Sequence, residues 1–317
     1  MILRRLAASA PASIAGLGCL YGVGGLAIEY ARDFVVIEVR ERRGIRVEVV
    51  DGDVPGGSKN TAYGAAKAFL EKTGLRIGLR IKVYKRIPVS IGLGSSDATA
   101  AATTYALNKM IGSELRAPEL VEIAGQGEMS VSGLPKYSGV AASLLGGLVV
   151  ILNTKTLRMA SLAPPDNLWV IVFTPHPGQR LGHREGLAEI IARRRPGFRS
   201  CIDQSSAVAE LIIGVFEKNP SLIGDAVNRG GPVEESVAPT IPGYWDAKDA
   251  ALEAGAFGFN VTGLGPSTFA LVSSDSVINV IEAVTRAFNK NGLRVTAKVV
   301  RPDLEGARLE DPDLLML

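Results

Sequence analysis

Arg86-Ile-Pro-Val-Ser-Ile-Gly-Leu-Gly-Ser-Ser-Asp-Ala-Thr-Ala100 carries the densest local signal in the chain. A β-rich run, Leu79 to Val83, precedes it and gives way at Pro88, and an alanine-rich helical stretch follows as far as Ile111. Gly92 and Gly94, flanking Leu93, let the backbone approach a ligand closely. The first N–H groups of the helix lack intrahelical partners and form a positive nest for an anion. Ser95 and Ser96 add hydroxyls able to hydrogen-bond a phosphate or to ligate magnesium. Nucleotide phosphate is the ligand that this combination suits. A glycine-serine turn with Ser96 or Asp97 capping a structural helix accounts for the same residues without a ligand. The stretch is neither a P-loop, since no lysine follows the second glycine, nor Gly-x-Gly-x-x-Gly, since Asp97 stands at the third glycine.

With 317 residues, 47% of them hydrophobic, the chain is long enough for two domains around sizeable cores. No apolar run reaches membrane-spanning length without glycine or charge, and Arg4 and Arg5 interrupt the opening, so no signal peptide is expected. Cys19 and Cys201 imply neither a disulfide framework nor a zinc motif, which fits a reducing cytoplasm. A net charge of +3 is too small to argue for nucleic acid. Arg193 to Arg195 suit a solvated helix C-terminus. His176 and His183 are too few for a metal site and are expected to be structural or surface residues.

Patterning along the chain is α+β. Strands are expected over 34–39, 45–50, 79–83, 148–152, 168–174, 257–262, 268–272 and 294–301. Helices are expected over 61–72, 117–125, 141–145, 185–194, 205–216, 220–228, 244–254 and 276–289, beside the one after the glycine loop. A polar, proline-bearing stretch at 155–167 marks a crossing between domains 1–160 and 161–317. Two more glycine-rich elements stand out. One opens at Ala10-Pro-Ala12 and carries Gly16, Gly18, Gly22, Gly24 and Gly25; the other is Gly263-Leu-Gly265-Pro-Ser267 between two β-rich runs, which a tight hairpin turn also explains.

Three glycine-rich elements in this order and at these spacings resemble the motifs of the GHMP kinase superfamily, and most nearly its homoserine kinase branch. The central motif, Pro-x-x-x-Gly-Leu-Gly-Ser-Ser-Ala-Ala, matches Pro88 to Ala98 except at Asp97. Ala10-Pro-Ala12, Leu144-Leu-Gly-Gly147, Ala238-Pro-Thr-Ile-Pro-Gly243 and Glu305-Gly-Ala-Arg308 extend the match over essentially the whole chain. The resemblance implies an N-terminal domain like domain 2 of ribosomal protein S5, a C-terminal ferredoxin-like domain, and an active site between them. It implies ATP and Mg²⁺ as cofactors and a small hydroxylated metabolite as phosphoryl acceptor, homoserine by default. No nucleic acid or membrane partner is implied, and a homodimer stays open.

By the same resemblance Pro88, Gly92, Leu93, Gly94, Ser95, Ser96 and Asp97 would surround the ATP phosphates. Ser96 and Glu128 would hold magnesium, and Asn60 would lie at the adenine or else cap the helix that follows. Gly263 and Gly265 would shape a further wall on the substrate side. The substrate positions depart from the branch. An asparagine and an aspartate become Gly16 and Gly22; a His-x-x-Asn becomes Lys136-Tyr-Ser-Gly139; two arginines become Val237 and, by a looser match, Ser206. Arginine's fork binds carboxylates in bidentate fashion and valine offers nothing equivalent. These replacements point either to a pocket rebuilt for another hydroxylated metabolite, with Lys136 meeting an anionic group or the γ-phosphate, or to homoserine bound through other contacts. A catalytically silent nucleotide-binding paralogue is the remaining alternative.

Overall fold

The computed structural model describes residues 4–113, 115–132, 136–179, 181–182 and 186–313. His183 lies outside them. The described chain divides into two compact units, one of residues 1–15, 22–162 and 303–317 and the other of residues 16–21 and 163–302.

The first unit begins with β1 (Arg5–Ala15), β2 (Gly24–Arg40) and β3 (Gly44–Asp51), followed by α1 (Thr61–Thr73) and β4 (Gly78–Tyr84). It continues through α2 (Ser95–Ile111), α3 (Ala117–Ser132), α4 (Ser138–Leu145), β5 (Leu148–Asn153) and β6 (Arg158–Leu162). The second unit holds β7 (Trp169–Pro175), α5 (Leu187–Ala192), α6 (Phe198–Phe216), α7 (Pro220–Val227), α8 (Gly231–Val237) and α9 (Tyr244–Glu253). It closes with β8 (Gly258–Val261), β9 (Thr268–Val272), α10 (Val277–Lys290) and β10 (Val295–Val300), after which β11 (Arg308–Glu310) returns to the first unit.

In the first unit the strand order is β11-β1-β2-β4-β3, with β5 joining β2 and β6 joining β5. All pairs are antiparallel except β3 with β4. The β1–β2 register slips between Pro11 and Ala12, because Pro11 faces Arg32 while Ala12 faces Ile28. Proline cannot donate to the ladder, so it belongs at such a bulge. Helices α2 and α4 pack on β1 and β2. Ala98, Ala100, Ala101, Ala102 and Ala106 are fully buried along α2, and small side chains there let the helix lie close to an alanine-rich β1.

In the second unit the order β10-β7-β9-β8 is antiparallel throughout, which is 4-1-3-2 in order of appearance. With helices after its first and third strands, this is the β-α-β-β-α-β ferredoxin-like arrangement. Its core is built on Phe173, Phe259, Tyr244, Val284 and Phe288.

Residues 303–317 group with the first unit, whereas the sequence pattern placed them with the second half. Strand β11 pairs with β1, and Arg32 reaches Asp303 Oδ2 at 2.6 Å, so the tail covers a sheet edge that would otherwise be open. A three-residue strand has too few positions to show a period of two. Strands β1 and β6, residues 24–33 of β2, residues 198–204 of α6, and all of α8 also lay outside the expected elements.

Candidate functional site

The glycine loop turns where its residues dictate. Gly92 and Gly94 have φ of 85° and 69°, a region that favours glycine. A Cβ on Gly94 would stand 2.4 Å from Ser13 Oγ, so a larger residue would have to displace that hydroxyl. Leu93 is buried, and its carbonyl accepts from Ser13 N at 3.1 Å, which ties the loop to β1. Pro88 lies exposed at the loop's start. Gly94 is the N-cap of α2 and supplies no side chain, leaving the first N–H groups of the helix to face outward from the loop.

The two serines that follow divide their work. Ser95 is buried and its hydroxyl donates to Asp33 Oδ2 at 2.8 Å, toward β2. The sequence expectation gave both hydroxyls to the ligand; in the fold that of Ser95 is directed to Asp33 and that of Ser96 to Glu128. Asp33, fully buried on β2, also accepts from the N–H groups of Arg86 and Ile87, each at 2.9 Å, and from Thr99 Oγ1 at 3.1 Å. Its counterion is Lys85, whose ammonium also donates to Ser95 O and Thr99 Oγ1, both at 2.7 Å. Burial lowers the Lys85 pKa, and Asp33 works against that shift. Seven groups thereby join β2, the end of β4 and the first turn of α2. Sequence reasoning did not single out Asp33 or Lys85; the one available signal was a lysine directly before the loop.

Ser96 Oγ donates to Glu128 Oε2 at 3.1 Å. Glu128 reaches α2 because α3 lies tightly on α1: a Cβ on Gly127 would stand 2.9 Å from Thr61 O. Thr61 Oγ1 in turn donates to Ser96 O at 3.3 Å. Lys136 Nζ lies 3.8 Å from Glu128 Oε2, with the carboxylate 1% exposed and the ammonium side chain 45% exposed. Burial, reinforced by the neighbouring Asp97, pushes the Glu128 carboxyl up to about 7, while Lys136, Ser96 and Lys85 pull it back. Asp97 also shifts upward through burial, against Lys136 and Lys85. Its side chain packs on Gly139 of α4: a Cβ there would stand 2.1 Å from Asp97 Oδ2. Ser96, Asp97, Glu128, Lys136 and Gly139 therefore gather at the start of α2.

Other expected site residues lie apart from that cluster or have structural partners. Asn60 caps α1, accepting from Ala62 N at 3.0 Å and donating to Pro55 O at 2.9 Å. Gly16, at φ 87°, starts the turn after β1, and Leu20 N donates back to its carbonyl at 2.6 Å. The close approach in that turn is at Gly18, where a Cβ would stand 2.3 Å from Val227 O. A Cβ on Gly22 would meet nothing within 4 Å. Gly263 and Gly265 shape the β8–β9 connection in the second unit, closed by Thr262 N to Ser267 O at 2.9 Å. Val237 is fully buried in that unit's core, and Ser206 Oγ lies 3.5 Å from Arg229 Nη1. His176 donates its backbone N–H to Arg294 O at 3.0 Å, a strand-end contact.

A family model described as the GHMP kinases N terminal domain matches residues 60–147, and one described as GHMP kinases C terminal matches residues 209–290. A homoserine kinase of Pyrobaculum aerophilum is 31% identical over 290 residues, covering 92% of this chain and 96% of that protein. One from Chlorobium phaeobacteroides is 32% identical over 297 residues, covering 88% and 91%. The crystal structure of homoserine kinase from Cytophaga hutchinsonii superposes with a TM-score of 0.87 at 28% identity over 98% of each chain. Mevalonate diphosphate decarboxylase from Staphylococcus aureus shares the fold, with a TM-score of 0.77 at 16% identity over 98% of this chain and 99% of that one.

Proposed function

The chain belongs to the GHMP kinases and is a small-molecule kinase, and on that footing we propose that it transfers the γ-phosphoryl group of ATP to the hydroxyl of homoserine. The pairing of Ser96 Oγ with Glu128 Oε2 at 3.1 Å, at the open N-terminus of α2, carries this reading. A hydroxyl and a carboxylate are hard oxygen donors, which is the donor set that Mg²⁺ takes together with water and phosphate. When bound, Mg²⁺ would neutralise charge on the β- and γ-phosphates.

The chain's own groups do the rest. The N–H groups of Ser95, Ser96 and Asp97 bind phosphate oxygens, and the helix dipole favours their charge. Asp33 and Lys85 hold that turn by its carbonyl and its inward hydroxyl. Lys136 offsets charge that develops on the moving phosphoryl group. The acceptor oxygen forms its bond to the γ-phosphorus as the bond to the β,γ-bridging oxygen breaks; ADP departs and the hydroxyl proton is released. Asn60 acts by fixing the start of α1. A cytoplasmic setting goes with ATP and a free amino acid as substrates.

The acceptor side supports a second candidate, another small hydroxylated metabolite. Val237 is fully buried in the core and offers no charge to a carboxylate. The deciding experiment is ATP consumption with product mass, with Mg²⁺, across homoserine, threonine, mevalonate, shikimate, pantoate and simple polyols. Phosphohomoserine supports the first acceptor and a different phosphorylated product supports the second. Nucleotide binding with no product from any acceptor overturns the transfer reading.

A further inference from the structure

Two polar atoms beside the glycine loop are buried without a hydrogen-bond partner among the described residues: Asp97 Oδ1 and Ser13 Oγ. Neither side chain is at the surface, with Asp97 7% exposed and Ser13 fully buried. Leaving such groups unsatisfied is costly, so each instance asks for an explanation. The two come from different elements, α2 and β1, yet both press on the same pair of glycines. A Cβ on Gly139 would meet Asp97 Oδ2 at 2.1 Å and Ser13 Oγ at 3.4 Å; one on Gly94 would meet Ser13 Oγ at 2.4 Å and Asp97 Oδ2 at 3.3 Å. The missing side chains are what leave room for them. Asp97 is also the neighbour in sequence of Ser96, on the turn assigned above to the phosphates.

We propose that Asp97 and Ser13 bind the acceptor's reactive hydroxyl and orient its oxygen toward the γ-phosphoryl group. The inference rests on the transfer reading above and adds the group that receives the substrate. A hydroxyl donates one hydrogen bond and accepts others. Asp97 Oδ1 accepts that bond whichever ionisation state the side chain holds, and Ser13 Oγ donates or accepts as the pose requires. Lys136, which acts on the charge of both Asp97 and Glu128, keeps the carboxylate environment from repelling the incoming phosphates. The chemistry recognised is a small acceptor with a donor at the reacting end.

The test uses the full chain and its Asp97→Ala, Asp97→Asn and Ser13→Ala forms, with the acceptor panel above and initial rates measured against both substrates. ATP binding by titration calorimetry and a thermal melt accompany each variant. For Asp97→Ala the acceptor KM rises about tenfold while the KM for ATP holds within about twofold, as loss of one buried hydrogen bond predicts. Ser13→Ala moves the same constant in the same direction by less, and Asp97→Asn, which keeps an oxygen acceptor, falls between. An unchanged acceptor KM in both alanine variants overturns the assignment, as does an equal rise in the KM for ATP. If the wild-type chain phosphorylates no acceptor, the transfer reading itself fails, so the two failures are distinguishable.

Discussion

Gly139 and Asp97 claim one volume: the space where a Cβ on Gly139 would lie, 2.1 Å from Asp97 Oδ2, is filled by the carboxyl of the other residue. Glycine on α4 leaves the room that the aspartate on α2 takes up.

Gly139→Ala tests that coupling. Alanine favours a helix over glycine by up to about 1 kcal/mol, and a displaced carboxyl can rotate, so stability stays within about 1 kcal/mol of wild type. The rotation carries Asp97 out of register, and the acceptor KM rises without a matching change for ATP. A urea melt and a two-substrate kinetic analysis check both halves.

Glu128 makes the stability of the ligand-free protein depend on pH. Its carboxyl titrates near 7 when folded, against an ordinary value of 4.5. Between those values the folded chain keeps a proton that the unfolded chain has lost. Stability therefore falls as pH rises through that window and levels off above it, by at most about 3 kcal/mol. Glu128→Gln flattens the slope and exceeds wild type at pH 8. Denaturation at pH 5, 6, 7 and 8 measures it. Protons compete with the cation for the carboxylate, so Mg²⁺ raises the melting temperature more at pH 8 than at pH 5.5.

Adjacent serines should fail in different ways. Ser96→Ala removes the hydroxyl facing Glu128 and lowers kcat by about tenfold to a hundredfold, with stability within about 0.5 kcal/mol. Ser95→Ala takes one donor from buried Asp33 and costs about 1–3 kcal/mol of stability. Paired kinetics and urea curves separate the two, and equal effects on both measures would contradict the division.

Asp33→Ala strands Lys85, two backbone N–H groups and two hydroxyls inside the first unit. Removing one partner of a buried pair costs about 3–5 kcal/mol. The double variant with Lys85→Met loses less than the two single losses added together, because each single change leaves the other charge uncompensated. A double-mutant cycle by chemical denaturation gives the coupling directly.

The glycine loop, α2 and the α+β alternation were legible in the sequence because each rests on local signals: turn glycines, alanine runs and period-two apolar residues; Glu128 came into view only through the family resemblance. Strand β1 was not, since Leu6-Ala-Ala-Ser-Ala-Pro11 has low β propensity and a proline, and pairs on both sides settle it. The Asp33–Lys85 hub was invisible because its two charges stand 52 positions apart and resemble surface residues until the strands are aligned. The bond from Ser95 Oγ to Asp33 was hidden for the same reason: its partner belongs to a strand far away in sequence. Asp97 stood out as a departure at once, but only the bareness of Gly139 gives it a place.

Strand β11 has a bearing on how the protein is born. Asp303 N donates to Ala27 O at 2.9 Å and Gly147 N to Asp303 O at 2.7 Å, so the first unit's sheet is finished by residues translated after the whole of the second. On the ribosome the second unit's strands all emerge before that closing strand does. The first unit therefore waits, with an unprotected edge along β1, until synthesis has passed Glu310. Vectorial translation thus gives the half that starts first the later completion.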